Sequence, residues 1–250
     1  MTTYGLSAPA ADVTANNIRP DGMGMRATVK WLTRSAEDSA SAVTSDPNAT
    51  AALRGPATLG TLALRVPGRH NLQNALAAVA VGAELGLSFE QVAAGLEEFR
   101  GVERRFEVRG EPNGILVVDD YGHHPTEVAA VIDAARALGR RIVIAFQPHR
   151  FTRTASLMDG FGPALAGADH IVLTDIYAAG EDPIPGVTLD ALAAAVRRRV
   201  RAPVDIAPRL DQVVPAIVRV ARPGDVVITL GAGSIGSLPD QLVAALEGRS

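Results

Sequence analysis

The part of the chain beyond residue 107 alternates short apolar runs with amphipathic segments of helical period, and this alternation constrains the fold more than any other feature. Strand after helix in regular order predicts an α/β fold, with a doubly wound parallel sheet and helices on both faces. Strands are expected at residues 115–118, 141–146, 170–174, 204–206 and 225–230. Helices are expected at residues 125–138, 156–166, 189–200 and 210–221.

The first hundred residues follow a different pattern. Strand-like runs at 25–32 and 57–66, separated by Gly, Pro, Asn and Asp, predict a small β-rich unit. Two helices should follow, the first over residues 71–85 and the second beginning at the capping-box pair Ser88 and Gln91. A charged connector comes next, so we place a domain boundary near residue 101, giving domains 1–100 and 101–250.

Composition excludes several functional classes. The chain has a formal net charge of -3, which gives no general electrostatic attraction for nucleic acid or an anionic membrane. It contains no cysteine, so disulfides and thiolate zinc sites are impossible. The N-terminus lacks the pattern of a signal peptide, and the apolar stretches are too short for a bilayer span, so a cytoplasmic location is expected.

Polar clusters follow the predicted strands at the end where parallel sheets collect their ligands. The largest is Asp119-Asp-Tyr-Gly-His-His-Pro-Thr-Glu127. Two acids, a phenol and two imidazoles at a strand-to-helix turn suit anion binding and proton chemistry. The alternative is a surface turn in which Asp120 forms the turn and Thr126 caps the helix.

Arg150 and Arg153 follow the next predicted strand. Three residues apart in a helical turn, both guanidinium groups can face one carboxylate or phosphate. The alternative is a solvated basic helix face.

For two further segments, a functional role and a structural role remain equal alternatives. Gly231-Ala-Gly-Ser-Ile-Gly236 matches the G-x-G-x-x-G pattern, but the second strand and acid of a dinucleotide site do not follow, so NAD binding is rejected. This segment predicts a tight glycine turn with a helix N-terminus at the same crevice. Asn71 is a good N-cap, whereas Asn74, one turn later, would need an outside partner such as the edge of a base.

These segments in this order, with Arg104-Arg-Phe-Glu107 between them, resemble the Mur ligase family over nearly the whole chain. The turn at 119–127 and Phe146-Gln-Pro-His-Arg-Phe-Thr-Arg153 are similar to the alanine-adding branch. Supporting segments are Tyr4-Gly5, residues 11–17, Pro67-Gly-Arg-His-Asn71 and Leu173-Thr-Asp-Ile-Tyr-Ala-Ala-Gly-Glu181.

The resemblance implies that residues 1–100 are a partial central ATP-binding domain, and that residues 101–250 are a Rossmann-like C-terminal domain. It further implies ATP-dependent ligation of L-alanine to UDP-N-acetylmuramate through an acyl phosphate, with Mg²⁺, in peptidoglycan biosynthesis. Asn74 would contact adenine, and Arg105 and Asp120 the ribose region. The remaining implied site residues are Tyr121 and His123 where nucleotide and amino acid meet, and Arg150 and Arg153 on the alanine carboxylate.

The sequence departs from the family pattern in one respect. No G-x-x-x-x-G-K-[ST] loop occurs, and Lys30, the only lysine, sits in a strand-like run. We therefore expect a fragment whose P-loop, metal ligands and UDP-binding domain belong to missing N-terminal domains, and which is inactive alone. The alternatives are a murein-peptide recycling ligase or another Mur-type ligase and, from another class, a non-catalytic nucleotide or amino-acid binding module.

Overall fold

The computed structural model describes residues 2–6, 11–32 and 57–248. It divides into two compact units, Met1–Arg100 and Gly101–Ser250, each described here by itself. In these described ranges, no helix combines the length and apolar character needed to cross a membrane.

The first unit contains a three-stranded antiparallel sheet with the order β1-β2-β3. Its strands are β1 (Val13–Asp21), β2 (Gly24–Trp31) and β3 (Ala57–Leu64). The sequence predicted β2 and β3 but not β1. β1 has an exposed, polar second half, and its register with β2 shifts between Asn16 and Arg19, so it carries no apolar alternation there.

Helices α1 (Arg69–Glu84) and α2 (Phe89–Glu98) follow β3 in the first unit. The capping box of Ser88 and Gln91 is confirmed at the start of α2. The prediction that Asn71 caps α1 is wrong, because the cap is Gly68 with φ 98°. The Asn71 amide instead donates 2.7 Å to the carbonyl oxygen of Pro67.

The second unit contains a six-stranded sheet with the order β4-β5-β9-β6-β7-β8. Its strands are β4 (Glu107–Gly110), β5 (Leu116–Asp120), β6 (Ile142–Phe146), β7 (His170–Leu173), β8 (Val204–Ile206) and β9 (Val226–Leu230). All pairs are parallel except β4 with β5. The short edge strand β4 begins at Glu107, the last residue of the predicted charged connector, and covers a stretch where the sequence predicted no strand.

Five helices cover this sheet: α3 (Pro125–Arg136), α4 (Phe151–Leu165), α5 (Leu189–Arg197), α6 (Leu210–Val220) and α7 (Pro239–Glu247). α3, α4 and α5 pack side by side on one face, and α6 packs with α7 on the other. The α6 connection returns the chain from the edge strand β8 to β9, between β5 and β6. The prediction of a doubly wound parallel sheet is therefore confirmed.

Burial explains why the central strands are so apolar. Every residue of β5, β6 and β9 is buried, as expected where helices cover both faces of a parallel sheet. The chain becomes polar only where each strand ends. Because the strands run parallel, those polar ends share one edge of the sheet.

Candidate functional site

The candidate site is the rim formed by the carboxyl ends of β5, β6, β7 and β9. The segments after these strands include Tyr121 to His124, Gln147 to Arg150, Thr174 to Tyr177 and Gly231 to Ser234. The order of the sheet places the ends of β5 and β6 on either side of β9. The sequence prediction that these clusters share one rim is thus confirmed by the topology.

The two aspartates that end β5 are buried and tied to the protein itself. Asp119 is 1% exposed and accepts hydrogen bonds from Arg104 Nε at 2.8 Å and Thr229 Oγ1 at 2.7 Å. Asp120 accepts the amide N–H groups of Phe106 and Gly122, each at 2.7 Å. Burial raises the pKa of the Asp120 carboxyl, against the opposing effect of these two amides. Asp120 thus fixes the strand-end turn that presents the next residue, Tyr121.

Arg104 is a part of the rim that the sequence reasoning missed. Its guanidinium donates 2.6 Å to the carbonyl oxygen of Gly231 and lies 5.1 Å from the centre of the Tyr121 ring. The Arg105 guanidinium lies 5.7 Å from the same ring, which is 37% exposed. Two cations beside an exposed aromatic face suit a flat, anionic ligand. The available signal was the Arg-Arg pair, from which only Arg105 had been assigned a role.

The glycine-rich turn after β9 is explained by close packing. A Cβ on Gly231 would lie 2.6 Å from the backbone oxygen of Gln147, and one on Gly233 would lie 2.5 Å from the Tyr177 ring. A Cβ on Gly236 would lie 2.4 Å from the Arg104 guanidinium carbon. The turn continues as a 3-10 helix, Ser234–Ser237, and α7 begins only at Pro239. The expected helix N-terminus is therefore not at the turn itself.

His123 and His124 have different roles. His124, not Thr126, caps α3, and Thr126 donates its amide to His124 Nδ1 at 3.2 Å, so the alternative in which Thr126 caps the helix is wrong on that point. Glu127 Oε2 accepts the amides of His123 at 3.0 Å and His124 at 3.1 Å. Burial would raise the pKa of Glu127, but these amides and the charges of His123 and Arg105 lower it below its ordinary value.

His149 was noted within a cluster but had no predicted role. Its ring stacks on Tyr177 at 5.6 Å between ring centres and lies 5.5 Å from the His123 ring. Its Nδ1 lies 3.0 Å from Arg153 Nη1. Burial lowers the pKa of His149, as do the positive charges of His123, Arg153 and Arg150, so the ring is neutral at physiological pH.

Arg150 and Arg153 adjoin the same rim but not as the helical pair that the sequence predicted. Arg150 is the residue before α4, with φ 70° and ψ 139°, and its half-exposed side chain lies 3.9 Å from Glu181. Its amide donates 2.8 Å to the carbonyl oxygen of Tyr177. Arg153 lies in the first turn of α4 against His149. The two guanidinium groups therefore have different neighbours.

Glu181, from the segment after β7, binds the N-terminus of α4. It accepts the Thr152 amide at 3.0 Å and the Thr152 hydroxyl at 2.7 Å. These hydrogen bonds lower the pKa of Glu181. A distant carboxylate thus supplies the cap that α4 lacks in its own sequence, which explains why α4 begins at Phe151 and not at the predicted residue 156.

Asn74 lies on α1 in the first unit, where its side chain is exposed. No three histidine, aspartate or glutamate side chains converge into a metal site anywhere in residues 2–6, 11–32 and 57–248.

Comparison with known proteins shows which family this chain resembles in sequence. Residues 104–233 match the family model described as Mur ligase, glutamate ligase domain. A UDP-N-acetylmuramate–L-alanine ligase from Geotalea daltonii is 43% identical over 248 residues, which cover 99% of this chain and 49% of that protein. The chain thus spans about half the length of the curated relatives it matches.

Solved structures give the same result. The UDP-N-acetylmuramate–alanine ligase from Thermotoga maritima matches all of this chain and 48% of its own, with 25% identity and a TM-score of 0.73. A murein peptide ligase from Psychrobacter arcticus matches all of this chain and 47% of its own, with 22% identity and a TM-score of 0.62, and so shares the fold. Since the family model covers over half of its residues, this chain belongs to the Mur ligase family.

Proposed function

We propose that this chain is the C-terminal half of a UDP-N-acetylmuramate–L-alanine ligase. The proposed reaction is ATP-dependent ligation of L-alanine to UDP-N-acetylmuramate through an acyl phosphate, in the cytoplasmic part of peptidoglycan biosynthesis. The observation that carries this proposal is the match of nearly the whole chain to a ligase of that name. The likeness to the recycling ligase is one of fold and does not favour that alternative.

In this proposal residues 1–100 are the end of the central ATP-binding domain, and residues 101–250 are the C-terminal domain. ATP supplies the phosphoryl group that activates the carboxylate. Tyr121 and Arg105 offer an exposed aromatic face and a cation to the nucleotide. Asp120 is buried, so we assign it to positioning these two residues. Asn74 is proposed for the adenine, from the first unit.

The amino-acid end of the site would comprise His123, Arg150 and Arg153. The Arg150 guanidinium is half exposed, and its backbone is held by Tyr177, so it offers a fixed positive charge to a carboxylate. Holding the amine in line with the acyl phosphate is the main contribution asked of these residues. The Mg²⁺ ligands and the phosphate-binding lysine are proposed to lie in the N-terminal half of the complete enzyme.

The test measures phosphate release after this chain is mixed with a separately expressed N-terminal half of the Geotalea daltonii ligase. Release should require ATP, UDP-N-acetylmuramate and L-alanine together, and should not occur with this chain alone. Replacing L-alanine by the tripeptide L-alanyl-D-glutamyl-diaminopimelate tests the recycling alternative. A complex that assembles and uses only the tripeptide would contradict the proposal.

Arg150→Ala should lower the release rate roughly 100-fold or more, because one strong carboxylate contact made in the transition state is lost. The matched control is Arg198→Ala, which removes an exposed arginine at the end of α5. Equal rates for the two variants would show that Arg150 does not bind the alanine carboxylate.

A further inference from the structure

Two imidazoles face each other across the rim, and their hydrogen bonds are opposite in kind. His123 follows β5 and His149 follows β6, with ring centres 5.5 Å apart. In a neutral imidazole one nitrogen donates and the other accepts, and the bonding partner of one nitrogen fixes the state of the other. The partners of the two rings therefore determine what each can do.

His123 has a free acceptor at Nε2. Its Nδ1 lies 3.0 Å from the backbone carbonyl oxygen of Tyr121. A carbonyl oxygen can only accept, so Nδ1 carries the hydrogen. The neutral ring therefore presents the lone pair of Nε2, which is the atom that can take up a proton.

His149 has the reverse arrangement. Its Nδ1 lies 3.0 Å from Arg153 Nη1, and a guanidinium can only donate. Nδ1 is therefore the acceptor, and the hydrogen is on Nε2. A second proton on His149 would place an N–H group against the Arg153 N–H, so this ring resists protonation.

A carboxylate and two aromatic rings lie close to His123. Glu127 Oε2 lies 3.6 Å from Nδ1 and is held by two backbone amides. Tyr121, flanked by Arg104 and Arg105, presents a T-shaped ring contact at 5.6 Å, and His149, with Arg153 behind it, is the second ring neighbour. A proton taken up at Nε2 would thus form an imidazolium between one carboxylate and one neutral ring.

Resting on the proposed ligase function, we propose that His123 is the general base for the incoming amino acid, acting through Nε2. The ammonium gives one proton to Nε2, and the amine lone pair then forms the C–N bond. The C–O bond to phosphate breaks, with its electron pair going to the phosphate oxygen. That phosphate takes the second amine proton, and His123 returns its proton to solvent.

Several other groups of the described rim are poorer bases. The arginines cannot be deprotonated, and the acceptor nitrogen of His149 is occupied. Asp120 is buried with both oxygens bound to amides, and Glu181 is bound to Thr152. His123 combines an available lone pair with a carboxylate behind it, the arrangement of an oriented base.

The first test needs no activity. Long-range ¹H–¹⁵N correlation spectra of the 250-residue chain, at a pH where both rings are neutral, identify the protonated nitrogen of each histidine. His123→Gln and His149→Gln assign the signals. We expect Nδ1–H for His123, the less common tautomer in solution, and Nε2–H for His149. Nε2–H on His123 would overturn the proposal, because that nitrogen could not then accept a proton.

The second test uses the complemented enzyme and two nucleophiles. His123→Gln should lower the rate with L-alanine by roughly 10²–10⁴-fold, the usual contribution of a general base. Hydroxylamine is largely unprotonated at neutral pH and needs no base, so its rate should stay within a few-fold of wild type. Arg198→Ala is the control, because this exposed arginine at the end of α5 lies outside the rim.

The outcomes separate the two proposals. A wild-type complex that releases no phosphate overturns the ligase function, and the proposed base with it. If wild type is active, an unchanged alanine rate in His123→Gln overturns the base alone. Equal loss with both nucleophiles also overturns it, since the residue would then act in phosphoryl transfer or in folding.

Discussion

Arg150 holds a backbone conformation, φ 70° and ψ 139°, that residues with a Cβ rarely adopt. It persists because neighbours fix the backbone on both sides: its amide binds Tyr177, and its carbonyl accepts the Thr154 hydroxyl at 2.7 Å. Strain of this kind is common where a side chain must be aimed at a ligand.

Glycine should relieve this strain, although it loses more entropy on folding. We expect the Arg150→Gly variant to be more stable than the Arg150→Ala variant. The free energy of unfolding of the second unit should differ by about 1 kcal/mol. Hydrogen exchange of the buried β9 amides measures this difference. A more stable alanine variant would show that the conformation is not strained.

Position 236 must be glycine because of Arg104. The Arg104 guanidinium lies where a Cβ on residue 236 would be. Gly236→Ala should destabilise the second unit by about 1–3 kcal/mol. In an Arg104→Ala background its cost should fall by about 1 kcal/mol or more, because the clash is gone. Gly248→Ala, with its nearest contact at 3.7 Å, is the matched control. Additive costs measured by urea unfolding would refute the coupling.

At the scale of elements, the N-terminus of α3 depends on the charge of Glu127. The pKa of Glu127 is lowered below its ordinary 4.5, so the ionised carboxylate stabilises the fold above pH 4.5. That contribution is lost as pH falls through the lowered pKa. Glu127→Gln should cost about 0.5 kcal/mol at neutral pH, after allowance for solvent screening, and nothing in acid. A cost that persists at low pH would indicate a packing effect instead of a charge effect.

The elements themselves show how far sequence patterns reach. The five predicted strands of the second unit are present. Four of them bury an apolar run, and the short edge strand β8 is half-buried. Their parallel arrangement follows from the alternation with helices. β1 and β4 were missed because they are polar edge strands, held by pairing with a neighbour. The start of α4 was missed because its cap, Glu181, comes from a different part of the chain.

At the scale of the whole second unit, its last strand lies inside the sheet. β9 pairs with β5 on one side and β6 on the other, so it closes the sheet that the earlier strands leave open. A chain ending at Ala221 should therefore lose the cooperative thermal transition of the second unit, because β5 and β6 each lose their partner strand and one face of the sheet loses α7. A chain ending at Gly248 is the control. A preserved transition in the shorter chain would show that the sheet folds without its centre.

The sequence by itself determined the class of fold, the polar strand ends and the family, because apolar periodicity and local motifs involve residues that are close together in the sequence. Only the tertiary structure decided the strand order, and with it which clusters meet. It also showed that Gly236 packs against Arg104 and that Glu181 caps α4. It showed that Nδ1 donates a hydrogen bond in His123 and accepts one in His149. The physical reason is that these are contacts between residues distant in sequence, or choices among partners that only three-dimensional proximity can make.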